Sequence, residues 1–120
     1  MFKRLVTMFL LLQCIPVFAG ELEKALTKNK NVFLYLYSEN CGYCKMFSPR
    51  YNKLSAMYNK NYEFIKVDTD TDYGLNLLRK YNGRYIPYVL LLNKNKVVQI
   101  QPDCLMDSAC VEYEIKAFNK

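Results

Sequence analysis

A chain of 120 residues has room for one small domain and too little for two separate cores. Its 17 Lys and Arg against 11 Asp and Glu give a formal charge of +6, but the lysines are scattered and form no run, which argues against a nucleic-acid surface. Histidine is absent, so a metal centre would lack its commonest ligand.

The first residues read as a targeting segment. Lys3 and Arg4 precede an apolar stretch over residues 5–18, and Val17-Phe18-Ala19 supplies small residues at the positions a signal peptidase reads. Residues 1–19 are therefore expected to be a signal peptide and residues 20–120 the folded domain, placed in the periplasm or secreted. A retained membrane anchor is the first rival, but about 14 apolar-biased residues, broken by Gln13 and Pro16, fall short of the roughly 20 that span a bilayer. Lipidation at Cys14 is the second, and the bulky Gln13 before it argues against that. Loss of the leader takes Lys3 and Arg4 with it and lowers the charge from +6 to +4. Outside the cytosol disulfides persist. Cys41, Cys44, Cys104 and Cys110 then remain, and of their possible pairings only the local one, 41 with 44 and 104 with 110, suits the spacing.

Along the domain, Leu22, Ala25 and Leu26 recur at helical spacing over residues 21–28, which end in the polar Asn29-Lys30-Asn31. The run Val32-Phe33-Leu34-Tyr35-Leu36-Tyr37 is apolar on both faces, as a central strand requires. Residues 42–58 carry Met46, Phe47, Tyr51, Leu54 and Met57 three and four apart, a helical face interrupted by Pro49. A second strand is expected over 62–67, a polar turn over 68–72, and a short helix through Leu75, Leu77, Leu78 and Tyr81 that stops at Asn82-Gly83. Ile86-Pro87 leads into the run Tyr88-Val89-Leu90-Leu91-Leu92, and residues 96–101 return as an antiparallel partner. Asp107 or Ser108 can cap a last helix through Val111, Ile115 and Phe118. Parallel strands joined by helices, followed by a hairpin, predict an α/β fold with a four-stranded mixed sheet covered by helices on both faces.

Two cysteines at i and i+3, immediately after a buried strand and at the start of a helix, make a redox site. Backbone N–H groups and the helix dipole favour an anion at that helix start, so Cys41 should be partly thiolate near neutral pH, in the range of roughly 3.5 to 7.5 that such sites show. Cys41 is the expected nucleophile. Cys44, one turn further in, would attack the mixed disulfide on Cys41 and release the partner.

Over nearly the whole domain the residues resemble the thioredoxin superfamily. Cys41-Gly42-Tyr43-Cys44-Lys45-Met46 with Pro49 is similar to the active-site helix of that family, and Glu39, two residues earlier, matches as well. Lys80-Tyr81, Arg84 and Ile86-Pro87 follow the segment leading into its cis-proline loop. The resemblance implies a thioredoxin fold, catalysis by Cys41 and Cys44, and substrate binding by Ile86 and Pro87 with Gly42 and Tyr43 beside them. It implies no cofactor. The implied partners are protein disulfides and an electron donor, a membrane thiol reductase being one candidate, with the chain acting as a monomer.

The departures are equally specific. Thioredoxins carry a buried acid on the central strand six residues before the first cysteine, and Tyr35 stands there. Proton transfer to Cys44 would then fall to water, Glu39 or Lys66. Asn40 stands where the family places a tryptophan, and an opening strand is lacking. Gly42-Tyr43 is similar to the dipeptide of periplasmic disulfide isomerases, whereas Ile86 before the proline is thioredoxin-like, so reductase, isomerase and oxidase directions all stay open, with reductase ahead. Cys104 and Cys110 read as a structural bridge worth roughly 2 to 3 kcal/mol in the chain-entropy model. A second redox pair is the alternative for them. A different class, a Cu(I)- or Zn(II)-binding or adaptor module, has the thiolates such metals favour but an incomplete ligand set.

Overall fold

The computed structural model describes residues 20–119, so the expected leader over residues 1–19 lies outside the described residues. In chain order the elements are α1 (Glu21–Thr27), β1 (Val32–Tyr37), α2 (Gly42–Tyr58), β2 (Glu63–Asp68), α3 (Asp72–Lys80), β3 (Tyr88–Leu92), β4 (Val97–Ile100), α4 (Pro102–Leu105) and α5 (Ser108–Phe118). The four strands form one mixed sheet in the order β2-β1-β3-β4. β1 runs parallel to β2, with Tyr35 opposite Lys66, and antiparallel to β3, with Tyr35 opposite Val89.

Alternation along β1 divides the core. Phe33 and Tyr35 point to one face, where they meet Phe47, Tyr51 and Leu54 of α2 and Val111, Ile115 and Phe118 of α5. Val32, Leu34 and Leu36 point to the other and pack on Leu22 and Ala25 of α1 and Leu77 of α3. Both faces of β1 are thus buried, which is why its sequence has no polar side. The helix ends are set by local chemistry. Thr71 caps α3 through its hydroxyl, and Asp107 caps α5 by accepting from the N–H groups of Ala109 and Cys110. Asn29 and Asn82 follow α1 and α3 in left-handed backbone geometry, each with φ of 59°. Gly74 lets α3 approach the end of β2: a Cβ there would lie 1.9 Å from the carbonyl oxygen of Asp68.

Two details differ from the sequence reading. β2 begins at Glu63 rather than at residue 62, because the backbone N–H of Tyr62 is taken by the carbonyl of Tyr58 at the end of α2, at 3.0 Å. The segment between β4 and α5 contains the short helix α4, with Pro102 in its first turn. Four residues are too few to show a helical period, so α4 leaves no trace in the hydropathy pattern. Among the described residues, no helix is long and apolar enough to cross a membrane.

Candidate active site

β1 ends at Tyr37 and the chain turns through Ser38, Glu39 and Asn40 to Cys41, which is the N-cap of α2. Its backbone is extended, and its sulfur does what a serine or aspartate oxygen does at other helix starts: Sγ accepts the N–H of Cys44, at 3.1 Å. Cys41 and Cys44 form a disulfide with a Cα–Cα distance of 5.1 Å. Their surroundings are unequal. Cys41 is half-buried at the surface, whereas Cys44 is 1% exposed and belongs to the core with Phe47. The outer sulfur is the one a partner can reach.

The loop before β3 supplies the opposite wall. The Ile86–Pro87 peptide is cis, Pro87 is buried, and the carbonyl oxygen of Ile86 lies 3.7 Å from Cys41 Sγ. Next to them lies an apolar cleft of about 500 Å³ whose lining includes Tyr43, Ile86, Pro87, Leu105 and Met106. Tyr43 is 66% exposed on its rim, and a Cβ on Gly42 would touch nothing within 4 Å, so this side of the helix start is open to an approaching chain.

Beneath the pair, the phenol of Tyr35 is fully buried and donates to the carbonyl of Cys44, at 2.9 Å. Ser48 donates to the same carbonyl, also at 2.9 Å, and lies 3.1 Å from the Tyr35 hydroxyl. Burial pushes the Tyr35 pKa above its ordinary value; the Ser48 contact opposes this and the nearby Tyr37 adds to it. Tyr51, which packs on the Tyr35 ring at 5.1 Å, is pushed up to about 12, mainly by burial. Of the groups considered for proton transfer, Lys66 places its Nζ over the Tyr37 ring, 4.3 Å from the centroid, and 5.7 Å from that of Tyr35. Glu39 is exposed in the turn, and its charge is among the influences that raise Tyr37, after burial. The structure thus brings Cys41, Cys44, Ile86 and Pro87 together with Gly42 and Tyr43 at the rim.

Cys104 and Cys110 are bridged across α4 and α5, with a Cα–Cα distance of 5.3 Å. Both are half-buried beside an open cleft. No three His, Cys, Asp or Glu side chains cluster in a way that could hold a metal ion among the described residues.

The thioredoxin family model matches residues 13–116. The chain belongs to the thioredoxin family. It is 32% identical over 78 residues to a thioredoxin of Mycoplasmoides gallisepticum, covering 65% of this chain and 75% of that one. It is 35% identical over 71 residues to the chloroplastic thioredoxin F2 of Arabidopsis thaliana, covering 59% of this chain and 37% of the relative, so it spans about a third of that plant protein's length. The solved thioredoxin of Fasciola hepatica superposes with a TM-score of 0.67 at 22% identity, covering 80% of this chain and 89% of that one, a likeness of fold. Cys41-Gly42-Tyr43-Cys44 lies within the matched residues and supplies their Cys-x-x-Cys pair.

Two parts of this site were not foreseen from the sequence. Tyr35 stood out only as a missing acid; that its hydroxyl reaches the Cys44 carbonyl depends on how β1 and α2 pack. Leu105 and Met106 enter the cleft because α4 folds back beside the Ile86–Pro87 loop.

Proposed function

We propose that this protein is an exported thiol:disulfide oxidoreductase that reduces disulfides in other proteins through Cys41 and Cys44. One observation carries the reading: Cys41 Sγ sits at the N-cap of a 17-residue helix, accepts a backbone N–H, and is the more accessible sulfur of the pair. The helix start stabilises negative charge on that sulfur. The Cys41 thiolate attacks one sulfur of a partner disulfide, forming a mixed disulfide and expelling one partner thiolate. Cys44, as thiolate, then attacks the Cys41 sulfur, closes the Cys41–Cys44 disulfide and expels the second. The partner gains two electrons and the protein loses two. A dithiol donor must return them, and a membrane thiol reductase fits a domain working outside the cytosol. Export itself is supported by the basic start, apolar stretch and small-residue site within residues 1–19.

The domain from residue 20 onward should reduce insulin when supplied with a dithiol and show little activity on scrambled ribonuclease. The reverse pattern would transfer the assignment to the isomerase that Gly42-Tyr43 favours. Protein recovered from its cells should begin at Gly20; an intact N-terminus would remove export by cleavage.

A further inference from the structure

The hydroxyls beneath the reactive turn do a job that neither cysteine can do alone. Cys44 must strike the sulfur of Cys41 while Cys41 is tied to a partner, so its own position has to survive the opening of the Cys41–Cys44 bond. Once that bond is open, no covalent link holds the first turn of α2 at this point. The contacts on its backbone remain. Tyr35 and Ser48 both donate to the Cys44 carbonyl, at 2.9 Å each, from a strand and from the next turn of the helix.

We propose that Tyr35 and Ser48 are positioning residues for the resolving thiol: together their hydroxyls hold the Cys44 carbonyl and so keep Cys44 beneath Cys41 during attack on the mixed disulfide. The proposal rests on the assignment of Cys41 as nucleophile and Cys44 as resolving residue. The three oxygens make three contacts with two hydroxyl protons, so when both hydroxyls donate to Cys44 none is left for the Tyr35–Ser48 contact. The phenol ring is itself immobilised, edge-on to Phe47 at 5.0 Å and packed on Tyr51 at 5.1 Å. Its hydroxyl therefore acts as a rigid anchor, while Ser48 follows the helix.

Nor does the phenol serve as the base for Cys44. The charged or titratable groups packed around Tyr35 are Tyr37 on β1, Tyr51 on α2 and Lys66 on β2, whose Nζ lies 5.7 Å from the Tyr35 centroid. Burial keeps the Tyr35 proton in place above the ordinary tyrosine range. At neutral pH it can donate to the carbonyl and cannot take a proton from Cys44.

The test separates the two exchange steps. Limited reduction should free two thiols per chain, mapped by alkylation to Cys41 and Cys44, and equimolar dithiobis(nitrobenzoate) then releases one coloured thiolate on attack by Cys41 and a second on attack by Cys44. Tyr35→Phe keeps the ring and should leave the first phase unchanged while slowing the second about fivefold, the worth of one hydrogen bond. Ser48→Ala should do the same, the double variant should slow it about twentyfold, and Ser48→Thr should restore it. The loss in Tyr35→Phe should be constant from about pH 6 to 9, because the phenol stays protonated throughout. A second phase at the wild-type rate in Tyr35→Phe, both phases slowing together, or a loss that disappears toward alkaline pH would each overturn the positional role. A wild-type chain with no first phase would instead overturn the assignment of Cys41.

Discussion

Cys41 and Cys44 are three positions apart on the first turn of a long helix, with one sulfur in the core and the other beside a buried cis-proline loop. Cys104 and Cys110 are six positions apart and tie the four-residue α4 to α5, both of them half-buried. The bond is the same in each; the surroundings are not. In the first pair the helix start stabilises one thiolate, burial hides the other sulfur, and Tyr35 and Ser48 hold the turn between them. In the second, the bridge fastens a helix too short to persist by itself, which buries Leu105 and sets Met106 at the edge of the cleft. The proposed reactivity rests on asymmetry of setting, and the proposed stabilisation on the loop that is closed.

That contrast can be broken most severely at Cys41. Cys41→Ser should abolish insulin reduction, whereas the double change Cys104→Ser and Cys110→Ser should leave turnover within about threefold, since it alters a wall of the cleft and no reacting atom. Comparable losses in the two variants would make the second pair a redox participant. Core truncation comes next. Phe47→Ala, beneath the first pair, should cost about 3–5 kcal/mol and Leu105→Ala, beneath the second, about 2–5 kcal/mol, read from urea unfolding. The first should also slow exchange by displacing Cys44.

Removing the second bridge should lower stability by about 2 to 3 kcal/mol, with oxidised wild type as the reference; an effect near zero would mean that Leu105 and the bond from Arg50 Nη1 to its carbonyl already hold α4. The smallest effect is alkaline. Tyr51, near the first pair, has its pKa raised to about 12, so folding favours its protonated form. This contribution is complete below the ordinary tyrosine pKa of about 10 and is lost as pH rises through about 12. Tyrosinate absorbance should show Tyr51 ionising only as pH approaches about 12, together with falling stability.

Much of this was legible in the residue order. A two-sided apolar run could only be a central strand, and β1 is one; the spacing of Phe47, Tyr51 and Leu54 marked the packed face of α2, from which Met46 and Met57 turn away exposed, and of the two cap candidates Asp107 and Ser108 the first starts α5. The local cysteine pairing followed from separations alone, since each couple is close enough in sequence to meet without help from the rest of the fold.

Packing decided what periodicity cannot carry. Whether Tyr35 replaces an acid with nothing or with a hydroxyl depended on the distance between β1 and α2, which brings its oxygen to the carbonyl of Cys44. Placement of Lys66 over Tyr37 depended on the parallel register that sets Lys66 opposite Tyr35. The cleft needed α2, the Ile86–Pro87 loop and α4 to converge from distant parts of the chain. Local sequence determines which residues can form a helix start, a strand or a short disulfide loop, because those depend on neighbours along the backbone. The environment of each sulfur, on which the proposed difference between a reactive pair and a fastening one rests, is set by side chains that only the tertiary fold brings within a few ångströms.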